Sequence, residues 1–157
     1  MCNNGAMSAA APARPQGCTN LLLRQLMRRV ARHYEAEVGK TGLKGTQYWL
    51  LSHAVKNGPL RPVDFAAQFK VDPSTLSRNL KPLVAAGWLE QVPGPDARSH
   101  LIQATPLGRE KRAEAQRRWR VAQEELNGLL GPDRVVALHA LIDEAMAALG
   151  DDGVGLD

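Results

Sequence analysis

From Thr19 onward, apolar residues recur at three- and four-residue steps. Leu23, Met27, Val30, Tyr34 and Val38 form one stripe, with Arg24, Arg28, Arg29 and Arg32 largely between them, which predicts an amphipathic helix ending near Gly39. A second, largely buried helix is predicted over Thr46–Lys56, carrying Tyr48, Trp49, Leu51 and Val55 and stopped by Asn57-Gly58-Pro59. Two shorter helices follow. Pro62 suits the first helical position of Pro62–Phe69, whose stripe is Val63, Phe65, Ala66 and Phe69, and the small Ala66 permits close approach by another helix. After the turn Lys70-Val71-Asp72, Asp72 is a natural N-cap and Pro73 a natural first residue for Pro73–Ala86, with Leu76, Leu80, Leu83 and Val84 inward. So short a turn forces the two helices to cross steeply, the helix-turn-helix arrangement.

Beyond Gly87 the helical period is lost. Trp88–Val92 and Leu101–Ala104 read as short strands around the polar, basic tip Pro93-Gly94-Pro95-Asp96-Ala97-Arg98-Ser99. Pro106 opens a long helix with the stripe Ala115, Trp119, Ala122, Leu126 and Leu129, closed by Gly131-Pro132. In a last helix Val135, Leu138, Ile142, Ala145 and Leu149 keep a near-heptad spacing over two heptads, too short for a free coiled coil but suited to a partner seam. The expected fold class is mostly α with a small β-hairpin. A helix-turn-helix followed at once by a hairpin is a winged helix, flanked here by N- and C-terminal helices.

Composition narrows the functional classes. The 157 residues fit one domain, and 44% hydrophobic with 23% charged residues is enough to bury a core. Met1–Gly17, rich in Ala, Pro, Asn and Gly without periodicity, reads as a disordered arm, and residues 151–157 as a flexible tail. No apolar run reaches the roughly 18 residues of a membrane span and no secretory signal opens the chain, so the expectation is a cytoplasmic protein without membrane partners. Cys2 and Cys18 are too few for a disulfide framework. The charge is lopsided: residues 1–55 net +5, residues 56–120 net +6 and residues 121–157 net −7. A basic body ending in an acidic stretch favours a polyanionic partner for the body and places the tail away from it.

The second helix of the helix-turn-helix carries the most pointed chemistry. Its non-apolar side chains are Ser74, Thr75, Ser77, Arg78, Asn79 and Lys81, with no Asp or Glu among them. Short hydroxyls can donate to phosphates or bases, Arg suits guanine or phosphate, and Asn can pair with adenine. At the hairpin tip, Arg98 suits a minor groove, and Asp96 could hold it extended. Pro82 cannot donate to the Arg78 carbonyl and is expected to bend the helix. Double-stranded DNA is the favoured partner; a winged-helix module that binds protein through the same face is the alternative. An enzyme has no support, because no nucleophile–base–orienter set, phosphate loop or metal cluster is present. His33, His53, His100 and His139 lack metal-ligand spacing, and no cofactor or metal is expected.

Taken together, several pieces resemble the MarR-type (multiple antibiotic resistance regulator) winged-helix repressors. These are Gly42-Leu43 and Gln47-Tyr48, the run Asp72 to Leu80, Ala86-Gly87-Trp88-Leu89, and Asp96-Ala97-Arg98-Ser99 through Thr105-Pro106-Leu107-Gly108. The last stretch is similar to the family's Asp-x-Arg wing signature and Leu-Thr-x-x-Gly helix start. The resemblance spans residues 18–149 and implies one domain over 18–150, with a DNA-binding lobe at about 60–105 and dimerisation helices at about 18–40 and 106–149. It further implies a homodimer on pseudo-palindromic operators, released by a small-molecule effector or by cysteine oxidation. Three departures stand out: Ala104 for the usual Leu, Gln91 where Arg is common, and Pro82 inside the recognition helix. The family's effector pocket lies between the dimerisation helices and the DNA-binding lobe. Carried onto this chain, it points to His33, Tyr34, Tyr48, Trp49, His53 and Trp119, a lining suited to a flat phenolic or carboxylated compound. Cys18, near Arg24 and Arg28, is the oxidation candidate.

Overall fold

A computed structural model describes residues 16–96 and 99–150. Six helices and one hairpin follow in the order α1 (Thr19–Val38), a 3-10 turn (Gly39–Thr41), α2 (Gly45–Asn57), α3 (Pro62–Phe69), α4 (Pro73–Ala85), β1 (Leu89–Pro93), β2 (His100–Ala104), α5 (Pro106–Leu130) and α6 (Pro132–Leu149). The expected winged helix is therefore present. Each boundary has a local cause. Proline occupies the first turn of α3, α4, α5 and α6, where a missing N–H costs nothing. Gly42 leaves the 3-10 turn at φ 81°, a left-handed conformation that glycine adopts without penalty. Between α3 and α4, Lys70 takes φ 51°, and its N–H bonds back to Ala67 O at 3.2 Å.

α2, α3, α4 and the hairpin enclose the core. Leu50, Leu51 and Ala54 of α2 meet Phe65 and Ala66 of α3, Leu76, Leu80 and Leu83 of α4, and Leu89, Ile102 and Ala104 of the strands, all buried. The strands pair antiparallel from Leu89↔Ala104 to Pro93↔His100. Ala104, smaller than the family's usual residue, is buried there opposite Leu89, so the departure leaves the topology intact. Leu60 adds a third, one-residue strand, exchanging both backbone hydrogen bonds with Ile102 at 2.9 and 2.8 Å. Nothing in the periodicity announces this bridge, because a single pairing residue has no period.

The Thr105 hydroxyl links the lobe to the start of α5. Thr105 caps α5 by accepting from Gly108 N at 3.0 Å, and its own Oγ1–H donates to Gly87 O at 2.6 Å. Gly108 is required, since a Cβ there would lie 1.9 Å from the Trp88 carbonyl oxygen. α1 then packs along α5, with Val38, Ala115 and Ala122 buried and Glu37 paired with Arg118 at 3.5 Å.

Both flanking helices leave apolar stripes open within the chain. The α1 stripe is covered only toward its C-terminal end: Val38 is buried and Tyr34 half-buried, whereas Leu23 and Met27 are exposed, Met27 at 70%. α6 buries none of its residues, and its seam grows more open along the helix until Leu149 is 80% exposed. α5 is the main element that α6 touches within the chain. Residues 1–15 and 151–157, read as arm and tail, lie outside the described residues.

Candidate nucleic-acid interface

α4 presents its polar side outward. Ser74, Ser77, Arg78 and Lys81 are exposed, Thr75 and Asn79 half-buried, and the opposite face seats Leu76, Leu80 and Leu83 in the core. Pro82 does not end the helix, which runs on to Ala85. The stretch from Ser74 to Lys81 is thus left open by its own chain.

The start of α4 is an organised hydrogen-bond cluster. Asp72 Oδ1 accepts the backbone N–H of Ser74 at 3.0 Å and of Thr75 at 2.9 Å, and it also accepts the Ser74 hydroxyl. Asp72 Oδ2 accepts the Thr75 hydroxyl at 2.5 Å. The Ser74 and Thr75 hydroxyls, followed by the Thr75 backbone N–H, hold the Asp72 carboxyl well below the usual carboxylate range. One turn on, Arg78 Nη2 donates to Thr75 Oγ1 at 3.3 Å. Asn79 Nδ2 donates to the Thr75 carbonyl at 3.1 Å, which commits one amide proton that adenine pairing could otherwise use.

The hairpin tip is drawn tight by Ser99. Its backbone N–H donates to Asp96 O at 3.0 Å, its hydroxyl accepts from Asp96 N at 3.1 Å, and its carbonyl accepts from Gly94 N at 2.9 Å. Asp96 is exposed. Arg98 lies outside the described residues.

The six residues proposed as an effector lining separate into two places. Tyr34 stacks on Trp119 with ring centroids 5.9 Å apart; Trp119 meets Trp49 edge-on at 6.2 Å, and Trp49 meets Tyr48 at 5.3 Å. Burial raises the Tyr34 pKa, and its hydroxyl donates to Gln123. His33, next along α1, lies 3.5 Å from Glu125. His53 does not join them. One helical turn beyond Trp49, it stacks on Phe65 and meets Phe69 edge-on, each at 5.2 Å, as part of the lobe's packing. The family's pocket, carried onto this chain, had grouped His53 with the others, but α3 takes it into the lobe. Elsewhere, a cleft of about 380 Å³ runs between α4 and the wing, edged by Pro62, Ser77, Lys81, Gln91 and His100. Its walls come from four separate elements, so no local pattern announces it. Cys18 is exposed immediately before α1. Among the described residues no group of three or more His, Cys, Asp or Glu could hold a metal ion, and no helix is long and apolar enough to cross a membrane.

Comparison with known proteins adds three findings. A family model described as the MarR family matches residues 41–99, from the 3-10 turn to the wing. The multiple antibiotic resistance protein MarR of Salmonella typhimurium is 28% identical over 134 residues, covering 84% of this chain and 91% of that protein. Among solved structures, wild-type MarR from E. coli in its apo form matches with TM-score 0.70 at 22% identity, over 84% of this chain and 99% of that one. The transcriptional repressor CouR bound to a 23-mer DNA duplex matches with TM-score 0.76 at 22% identity, over 82% and 92% of the two chains. A cysteine-to-serine variant of E. coli MarR complexed with operator DNA gives 0.74 at 23%, over 81% and 92%. With the helix-turn-helix, the wing and the flanking helices in the same order, the chain has the winged-helix fold of these proteins and is similar to the MarR family of regulators, whose model matches its residues 41–99.

Proposed function

We propose that the protein is a dimeric, sequence-specific DNA-binding transcriptional repressor acting in the cytoplasm on pseudo-palindromic operators. The observation that carries this reading is the exposed face of α4, which offers Ser74, Ser77, Arg78 and Lys81 with no carboxylate on the helix itself. Such a face fits a major groove, where Arg and Lys supply both phosphate neutralisation and base contacts. The wing, with Arg98 at its tip, is assigned to the adjacent minor groove.

Dimerisation is inferred from the uncovered apolar surface. Leu21, Leu22, Leu23 and Met27 of α1, with Val136, Ile142, Met146 and Leu149 of α6, are exposed in the isolated chain. Four arginines of α1 and the net charge of −7 over residues 121–157 are complementary across such an interface. Two heads spaced by one or more turns of about 10 base pairs then multiply affinity and set the half-site spacing. The resemblance to MarR-type repressors implies control by an effector. In this chain the Tyr34–Trp119–Trp49 cluster suits a flat aromatic compound, and Cys18 is the site for oxidation.

The deciding measurement is binding to duplexes selected from a random pool, compared with scrambled duplexes across a salt series. The expected result is a palindromic consensus and a steep salt dependence. Arg78→Ala should erase the preference for the consensus, whereas Arg98→Ala should weaken both duplexes together. Absence of any consensus and of salt dependence would leave a protein-binding module instead. Mild peroxide and a panel of phenolic acids, applied to the wild type and to Cys18→Ser and Trp119→Ala, assign the release signal.

A further inference from the structure

The hydrogen bonds at the head of α4 have a direction that is forced by their ends. At one end is an ionised carboxylate, which can only accept; at the other is a guanidinium, which can only donate. Thr75 stands between them. Its hydroxyl donates to Asp72 Oδ2 at 2.5 Å and therefore receives Arg78 Nη2, 3.3 Å away, on a lone pair. The Ser74 hydroxyl likewise gives its one proton to Asp72 Oδ1. Both side chains have spent their protons inward, so what they turn outward is acceptor capacity alone. This revises the expectation that these hydroxyls donate to phosphates.

In the major groove only the exocyclic amino groups of cytosine and adenine donate; guanine and thymine offer acceptors at the corresponding edge. We propose that Asp72 is a specificity-determining positioning residue. By taking the Ser74 and Thr75 protons it makes the leading edge of the recognition helix selective for cytosine or adenine amino groups, and it fixes Thr75 as the acceptor that aims Arg78. The inference rests on the DNA-binding reading above and adds the polarity of the edge that does the reading. Asp72 touches no base in this scheme; it acts through its two neighbours.

Two substitutions separate this role from helix capping. Asp72→Asn keeps an oxygen for the backbone N–H groups of Ser74 and Thr75 but replaces the second oxygen with a donor, which turns the Thr75 proton outward. Thr75→Val keeps the side-chain shape and the Asp72 cap and removes the link to Arg78. The experiment selects duplexes from a random pool with full-length wild type and each variant, alongside thermal melting and affinity for scrambled duplex. The wild type should enrich cytosine or adenine at one position of each half-site. Asp72→Asn should admit guanine or thymine there, and Thr75→Val should lower the ratio of consensus to scrambled affinity by about tenfold. If Asp72→Asn melts early, Thr75→Val carries the test alone. A wild-type consensus that both variants reproduce, with the same affinity ratio, overturns the proposal and leaves the DNA-binding reading standing. A wild type that enriches no consensus overturns both.

Discussion

The winged-helix lobe and the flanking helices α1 and α6 solve the burial problem differently. In the lobe most of the apolar residues find cover within the chain: Phe65, Leu51 and Leu83 are fully enclosed by three helices and a hairpin, while Val63 of α3 and Trp49 of α2 stay exposed. In α6 no residue is buried, and the first half of α1 holds Leu21, Leu22, Leu23 and Met27 in the open. Apolar side chains left open along two helices are the ground for the dimer proposed above. The lobe closes its core within the chain, and the flanking helices do not.

The contrast can be broken most sharply from the lobe side. Phe65→Ala should cost about 3–5 kcal/mol and abolish cooperative denaturant unfolding of the lobe at every protein concentration. On the other side, Ile142→Asp combined with Leu149→Asp should leave the lobe folded but convert a dimer to a monomer in sedimentation velocity, lowering affinity for a two-site duplex by about 100-fold or more. Were the double variant to remain dimeric, α6 would not be the seam. Within the α1–α5 contact, Tyr34→Phe leaves the Gln123 acceptor without its hydroxyl donor and should cost about 1 kcal/mol in chemical denaturation.

Acid titration probes the cap that starts α4. The folded carboxyl of Asp72 sits below its unfolded value of about 4, so its contribution is present above that pH and lost as pH falls through the folded value. The stability gap between wild type and Asp72→Ala should accordingly hold steady from neutral pH to about 5 and close only in stronger acid.

Sequence reading reached the lobe with little loss because its signals are local. Pro62, Asp72-Pro73 and Gly87 mark ends, and α3 in the structure has the same bounds as the stripe that predicts it. It went astray where the answer depended on what lies across a gap. The heptad of α6 correctly shows an apolar seam, yet nothing in one chain's periodicity says whether the cover is its own or another's. His53 shares a helical face with Trp49, but α3 takes it into the lobe. The head of α4 was legible as a cap and as a polar face, though not as a directed chain of protons, since that needs the two oxygens of Asp72 placed against Ser74 and Thr75.

The Thr105 hydroxyl, shared between Gly87 and the first turn of α5, ties the exit of the recognition unit to the entrance of the longest helix. Gly108 has no room for a Cβ beside the Trp88 carbonyl, so that corner is closely packed. In the DNA-binding reading proposed above, such a corner would couple the tilt of the head to the base of α5. In the proposed dimer a change in the separation of two such heads would fall further out along α5 or where it meets α1, the region that holds the aromatic stack of Tyr34, Trp119 and Trp49.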